Sequence, residues 1–192
     1  MTCVVLGGSR RISRLDGEIR LRLDRIVQQQ FRLIVGDANG ADKALQNYLV
    51  ERAYRNVEVF CSGSSPRNNL GGWVTRPIAA KARPGTFEFF AAKDQAMAEL
   101  ATVGFMLWDG ESTGTMLNVW RLAKQRKSCL VYVHPRRQFL QVVAESDWHA
   151  LWGMADAESR AVLERRIKNE SGAGTSGNRQ LFGPDLDEVG LS

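Results

Sequence analysis

Two features of the sequence predict an α/β fold built on one mostly parallel sheet. Short apolar runs rich in Val, Ile and Leu alternate along the chain with helical patterns of about 10–15 residues, which is typical of βαβ units. Each apolar run ends at a turn rich in glycine or polar residues, after which a helix can cross over and cover one face of the sheet. We expect a Rossmann-like, doubly wound parallel sheet of about five strands.

The first part of the chain supplies three of these strands. The expected elements are strands at residues 2–6, 31–35 and 57–61 and helices at residues 15–27 and 41–54. The strands are short apolar runs, and the first stops at a Gly-Gly pair. In the first helix, apolar side chains recur at spacings of three and four, and Ser13 is its expected N-cap.

A long polar stretch at residues 62–85 then interrupts the alternation. A loop of this length inside a compact domain is usually functional. It also offers the point at which the winding of the sheet reverses, which predicts the strand order 3-2-1-4-5. The alternation resumes with helices at residues 87–101 and 113–125 and strands at residues 103–108 and 129–133.

These patterns divide the chain into three parts. Residues 1–140 are the Rossmann-like domain, and residues 141–169 are a helical appendage. In the appendage Trp148 and Trp152 form an apolar stripe, which either covers the sheet of its own chain or mediates dimerisation. Residues 170–192 are rich in Ser, Gly and acidic residues, so we expect a disordered acidic tail.

The charge and the residue counts narrow the class of protein. Residues 1–169 hold 25 Lys and Arg against 17 Asp and Glu, so the folded part is basic. No apolar run approaches the roughly 20 residues that span a bilayer. Three cysteines and two histidines match neither a disulfide framework nor a metal-binding pattern. We therefore expect a cytoplasmic protein with no membrane partner, no metal and no cofactor.

Three glycine-containing turns follow predicted strands, and in a parallel sheet they meet at one edge. The third turn leads directly into a helix, whose first N–H groups and dipole favour an anion such as phosphate. The same residue types also serve as ordinary caps and turns, so a single such turn would be weak evidence. The candidate ligand-binding residues in the three turns are Gly8, Ser9, Arg10, Gly36, Asp37, Ala38, Gly40, Asp109, Gly110, Ser112, Thr113, Gly114 and Thr115.

The long loop adds three candidates to this edge. Arg67 suits pairing with a phosphate, and Asn68 supplies a neighbouring amide. Trp73 has two interpretations: its ring stacks on a base, or it anchors the loop as a buried side chain. The loop is therefore a candidate lid over a nucleotide.

The three turns resemble those of the SLOG group of Rossmann-like domains. The matching segments are Gly7-Gly8-Ser9-Arg10, the run Gly-Asp-Ala-Asn-Gly-Ala-Asp at residues 36–42, and the run Trp-Asp-Gly-x-Ser-x-Gly-Thr-x-x-Asn at residues 108–118. The resemblance is closest to the YspA/YpsA-like branch, which is related to the lonely-guy phosphoribohydrolases and to the DNA-processing protein DprA. It implies a nucleotide or nucleotide-derived ligand and a homodimer or higher homo-oligomer.

The resemblance to the phosphoribohydrolases also suggests candidates for cleavage of an N-glycosidic bond. Asn118 stands where those enzymes carry a catalytic Glu, and Lys93 stands in place of an Arg. An Asn side chain cannot act as a general base. Asp42 and Glu111 are carboxylates that can replace the missing Glu, and Asp42 is the preferred partner for a ribose or a base. The candidate catalytic residues are therefore Asp42, Lys93, Glu111 and Asn118.

The sequence leaves more than one function open. The main hypothesis is binding of a nucleotide or nucleotide-derived ligand, such as a nucleoside monophosphate, NAD or ADP-ribose, either for sensing or for hydrolysis of its N-glycosidic bond. The alternative is a DprA-like single-stranded nucleic-acid-binding protein, which the basic charge supports. Because the Lys and Arg residues are scattered over several helices, nucleic acid is possible but not favoured.

Overall fold

One seven-stranded sheet organises residues 2–173, the part of the chain that the computed structural model describes. The strands are β1 (Cys3–Gly8), β2 (Arg32–Gly36), β3 (Val57–Ser62), β4 (Val74–Ile78), β5 (Val103–Trp108), β6 (Cys129–Val133) and β7 (Gln138–Val142). Their order in space is β4-β3-β2-β1-β5-β6-β7. All neighbouring pairs are parallel except β6 and β7, which are antiparallel.

Helices cover both faces of the sheet. They are α1 (Gly17–Gln28), α2 (Ala41–Glu51), α3 (Phe87–Leu100), α4 (Thr113–Lys124), α5 (Glu145–Trp152) and α6 (Ala157–Ala173). Helices α1 and α2 pack on one face, and α3 to α6 pack on the other. Alternate residues of each central strand enter opposite cores: in β1, Val4 and Leu6 face the first layer, whereas Val5 faces the second.

The mostly parallel α/β fold is confirmed, but the prediction of about five strands is wrong. The order 3-2-1-4-5 describes only the five inner strands, and the order of the whole sheet differs because β4 and β7 extend its two edges. Strand β4 lies inside the stretch predicted as loop. It contains Pro77, which lacks an N–H and fits an edge strand, and its mostly exposed residues show no apolar pattern. Strand β7 follows β6 without a crossover helix and pairs with it in antiparallel orientation. The alternation of strands and helices in the sequence therefore does not predict β7.

The start of α1 also differs from the prediction. The N-cap is Asp16 and not Ser13, and α1 begins at Gly17. The Asp16 carboxylate makes no cap hydrogen bond, and its Oδ2 lies 3.1 Å from the Tyr132 hydroxyl, which also lies 2.9 Å from Glu18 Oε2. The first turn of α1 thus contacts a residue more than one hundred positions later in the chain.

The carboxyl-terminal helices pack on α4. The Trp148 ring is buried, and its Nε1 donates to the Met116 carbonyl at 3.3 Å, so the apolar stripe covers the chain's own core. Helix α6 continues to Ala173, past the predicted start of the tail at residue 170, and within it Glu170 pairs with the buried Arg121. The remainder of the predicted tail lies outside the described residues. Within residues 2–173, no helix is long and apolar enough to cross a bilayer.

Candidate functional site

A cleft of about 750 Å³ opens at the carboxyl ends of the central strands. The turns after β1 and β5, the first half of α3, the start of α4 and the face of α6 form its walls. This volume is within the range of about 300–1,000 Å³ that is typical of small-molecule sites. The predicted site residues that line the cleft are Gly8, Arg10, Ala38, Asp42, Arg67, Lys93, Asp109, Glu111, Ser112, Thr113, Gly114, Thr115 and Asn118.

The other predicted ligand-binding residues support the wall without forming part of it. They are Ser9, Gly36, Asp37, Gly40, Asn68 and Gly110. Ser9 is fully buried; its hydroxyl lies 3.1 Å from that of Thr115 and accepts a hydrogen bond from the Asp109 N–H at 3.1 Å. Ser9 therefore joins the turn after β1 to the turn after β5, and its role in the structure is to hold these turns together.

The turn into α4 presents backbone N–H groups to the cleft. Ser112 is the N-cap, and its hydroxyl accepts from the Thr115 N–H at 3.3 Å. Asp109 accepts from the N–H groups of Glu111 and Ser112 at 3.1 and 2.8 Å, which fixes the turn. Among the described residues this leaves the N–H groups of Thr113 and Gly114 without an acceptor, and open space surrounds the position of a side chain at Gly114. An anion can therefore approach the start of α4 closely.

A buried charge cluster forms the floor of the cleft. Asp42 and Lys93 are 6% and 4% exposed. Lys93 Nζ donates to Asp94 Oδ1 at 2.6 Å, and Asp42 Oδ2 accepts from the Ala38 N–H at 3.1 Å. A Cβ atom at Gly36 would lie 2.3 Å from Asp42 Oδ2 and 2.9 Å from Lys93 Nζ. The glycine that precedes the second turn thus leaves room for the Asp42 carboxylate and the Lys93 ammonium group.

Burial and charge shift the pKa values in this cluster in the same direction for different reasons. Burial raises the pKa of Asp42 to about 6, although the positive charge of Lys93 opposes the shift. Burial lowers the pKa of Lys93, but the carboxylates of Asp94 and Asp42 outweigh burial, so the pKa of Lys93 rises from its usual value. Asp42 can therefore exchange a proton near neutral pH while Lys93 stays charged, which suits general acid or base chemistry.

The long loop is fastened to the turn after β2. Arg67 forms a two-pronged ion pair with Asp37, with Nε to Oδ2 at 2.9 Å and Nη2 to Oδ1 at 2.6 Å. Burial raises the pKa of Asp37, but hydrogen bonds from Arg67 overcome burial and lower the pKa below its usual value. Asn68 Nδ2 donates to the Asp37 carbonyl at 2.8 Å. Arg67 therefore lines the cleft as a positioned side chain that already has a carboxylate partner.

Trp73 anchors the loop and does not reach the cleft. The residue is 8% exposed, and its Nε1 donates to the Tyr54 carbonyl at 2.9 Å. The interpretation as a base-stacking residue is therefore wrong, and the buried anchor is correct. Glu111, in contrast to the buried Trp73, is exposed to solvent. Its carboxylate pairs with Arg11 at the mouth of the cleft.

Helix α6 contributes cleft residues that the sequence did not indicate. Arg166 donates from Nη1 to the Thr113 hydroxyl at the start of α4, and its guanidinium lies 3.5 Å from the centre of the Phe87 ring. The Ser159 hydroxyl lies 3.3 Å from the Glu111 carbonyl oxygen and 2.9 Å from Asp156 Oδ2. Apolar spacing indicated that this segment is helical, but nothing in that spacing relates its polar residues to a turn about 50 positions earlier.

Comparison with known proteins supports the fold. No protein-family model matches the chain, and no curated protein sequence matches it. Among solved structures it is similar to DNA processing protein A from Helicobacter pylori, described for its single-stranded DNA binding mode, with a TM-score of 0.54 and 17% identity over 88% of this chain and 81% of that chain. Membership of the YspA-like branch stays a prediction. The predicted relation to DprA is thus supported as a likeness of fold, and the chain shares the Rossmann-like architecture of that protein.

Proposed function

We propose that this protein binds a nucleotide or nucleotide-derived ligand in the cleft, with a phosphate group at the start of α4. The observation that carries this proposal is the hydrogen bond from Arg166 Nη1 to the Thr113 hydroxyl, which brings a guanidinium to the first residue of α4 in the wall of the cleft. A helix amino end and an arginine together supply the backbone donors, the dipole and the charge that bind phosphate. The proposal includes a cytoplasmic location, a homo-oligomeric state and the YspA-like branch.

The cations at the mouth of the cleft support a phosphate ligand. Arg10 lies 5.3 Å from the centre of the Phe90 ring, as Arg166 lies over Phe87. In the part of the chain that the structure describes, neither arginine has a carboxylate oxygen within 4.0 Å, although the charge of Glu88 acts on Arg166 from a longer distance. An arginine that stacks on an aromatic ring without a carboxylate partner keeps its guanidinium N–H groups available for a planar or tetrahedral anion.

The buried cluster at the floor supports an enzymatic form of the same proposal. In this form the Asp42 carboxylate accepts a proton from water as the water adds to the anomeric carbon, the N-glycosidic bond breaks, and Asp42 returns the proton to the leaving base. A carboxyl with a pKa near 6, such as Asp42, suits this task. The amide of Asn118 cannot accept a proton and does not suit it. Release of free base from a nucleoside monophosphate distinguishes this enzyme from a sensor that only binds.

Replacing Arg166 tests the phosphate site. We expect Arg166→Gln to weaken binding of AMP about tenfold or more, because a charged hydrogen bond to phosphate contributes roughly 1.5–3 kcal/mol. Isothermal titration of the full chain with AMP, NAD, ADP-ribose and inorganic phosphate measures this effect. Arg165→Gln is the matched control, since Arg165 is exposed on the same helix. Equal affinities for the two variants contradict the assignment, and the absence of binding by all four compounds contradicts the proposed function.

Single-stranded DNA is a second candidate ligand. It is favoured by the likeness of fold to a protein solved for its single-stranded DNA binding mode and by the basic charge of residues 1–169. We expect a mobility shift of an oligonucleotide at 50 mM salt that weakens strongly at 200 mM, because phosphate contacts release counterions. Lack of a shift at low salt rejects this candidate and leaves the small-ligand proposal in place.

A further inference from the structure

The floor of the cleft contains an amide whose orientation is fixed by a buried arginine. Asn118 lines the cleft one turn into α4, and its Oδ1 accepts a hydrogen bond from Arg121 Nη1 at 2.5 Å. A guanidinium has donors only, so the amide must turn its oxygen toward Arg121. The Nδ2 group, with two N–H donors, is therefore the part of the Asn118 amide that remains for a ligand.

The arginine is itself held by the last part of α6. Arg121 Nε donates to Glu170 Oε2 at 3.1 Å, and Nη2 pairs with the other carboxylate oxygen. The Arg121 side chain is 5% exposed and that of Glu170 is 18% exposed, so water competes little for these bonds. Glu170 and Arg121 thus fix the Asn118 amide from behind.

An acceptor lies next to this donor. Asn118 and Asp94 both line the cleft, and both also line a smaller cavity of about 10 Å³ that shares several lining residues with it. Asp94 accepts from Lys93 through Oδ1, which leaves Oδ2 for a further donor. Val5, Met97 and Met106 form apolar surroundings for the pair. A group that fills this position must both donate to a carboxylate and accept from an amide, and a hydroxyl does both.

We propose that Asn118 and Asp94 form a hydroxyl-binding subsite, positioned by Arg121 and Glu170, for a sugar hydroxyl of the ligand. This inference rests on the proposed function, because the sugar of a nucleotide is joined to the phosphate and Asn118 follows the phosphate-binding turn by one helical turn. The ligand class is then a nucleotide that keeps its ribose hydroxyls. Loss of the recognised hydroxyl leaves two polar groups without a partner in an apolar site, which makes discrimination strong.

Binding of nucleotides that differ by one hydroxyl tests the subsite. Isothermal titration of the full chain compares AMP with 2′-deoxy-AMP and 3′-deoxy-AMP. We expect one of the two deoxynucleotides to bind about tenfold more weakly than AMP. In Asn118→Asp, the new carboxylate still pairs with Arg121 but has no N–H to donate, so we expect the affinity for AMP to fall to about that of the weaker deoxynucleotide.

A second variant tests the positioning role. Glu170→Gln is expected to reduce the ratio between AMP and deoxynucleotide affinities, because Arg121 loses the charge that holds it. Glu164→Gln, exposed on the same helix, is the matched control and keeps the ratio. If Glu170→Gln weakens all nucleotides equally, the positioning role is wrong. If the wild-type chain binds all three nucleotides within twofold, the subsite is wrong and the proposed function stands; if neither AMP nor inorganic phosphate binds, both are wrong.

Discussion

Lys93→Met is expected to lower the free energy of unfolding by about 3–5 kcal/mol at pH 7, the usual effect of removing one partner of a buried ion pair. The Lys93 side chain is 5% exposed, and its ammonium group is the positive charge that faces both Asp42 and Asp94. Methionine fills a similar volume but leaves two carboxylates without that charge at the cleft floor. Urea denaturation followed by circular dichroism measures the change.

Lys43→Met is the matched control for this variant, since Lys43 is exposed on α2. Surface substitutions of this kind usually change stability by less than about 0.5 kcal/mol. The destabilisation by Lys93→Met should also be smaller at pH 4.5, because Asp42, with a pKa near 6, is then mostly protonated. A loss at pH 7 no larger than that of Lys43→Met contradicts the assignment of Lys93 to a buried charge cluster.

The sequence predicted the edge of the sheet that carries the cleft because that edge follows from topology. Once β1, β2 and β5 are parallel, the turns that follow them must meet, wherever the strands lie along the chain. Residues far apart in sequence, such as Ser9 and Thr115, are thereby brought within hydrogen-bonding distance. The predicted residues of the three turns are reached by local patterns alone, namely an apolar run, a glycine and a following helix, whereas Lys93 and Asn118 were indicated by the resemblance to the phosphoribohydrolases.

The sequence did not predict which of the candidate site residues face the cleft and which stabilise the turns behind its wall. Arg67 has the chemistry of a phosphate partner, but its pairing with Asp37 depends on how a 30-residue connection folds back. The contribution of α6 was missed for the same reason. Neither Arg166 nor Glu170 belongs to a local pattern, and each gains its role from packing against α4. Contacts of this kind depend on tertiary structure, whereas the turns depend on local sequence.

The shifted pKa of Asp42 has a definite sign for stability. The folded-state pKa of about 6 lies above the usual 3.8, so the folded chain binds this proton more tightly than the unfolded chain does. The resulting stabilisation is fully present below about pH 3.8 and is lost as the pH rises through about 6. At about 1.36 kcal/mol for each pKa unit, the loss approaches about 3 kcal/mol. The charged groups that face Asp42 are Lys93, Asp94, Asp37 and Arg67.

Asp42→Asn removes this titration and leaves the surrounding charges in place. We therefore expect the free energy of unfolding of the variant, minus that of the wild type, to rise by about 2 kcal/mol between pH 4 and pH 6.5, because part of the full effect lies below pH 4. Asp147→Asn is the control, because N–H groups of Val143 and Ala144 lower the pKa of Asp147 below its usual 3.8, so its difference should stay nearly flat between pH 4 and pH 6.5 and rise only at lower pH. Urea titrations of the wild type and the two variants across this range measure these differences in the free energy of unfolding. If the difference for Asp42→Asn does not change with pH, the Asp42 carboxylate ionises like an exposed one. The acid–base role proposed for Asp42 is then contradicted.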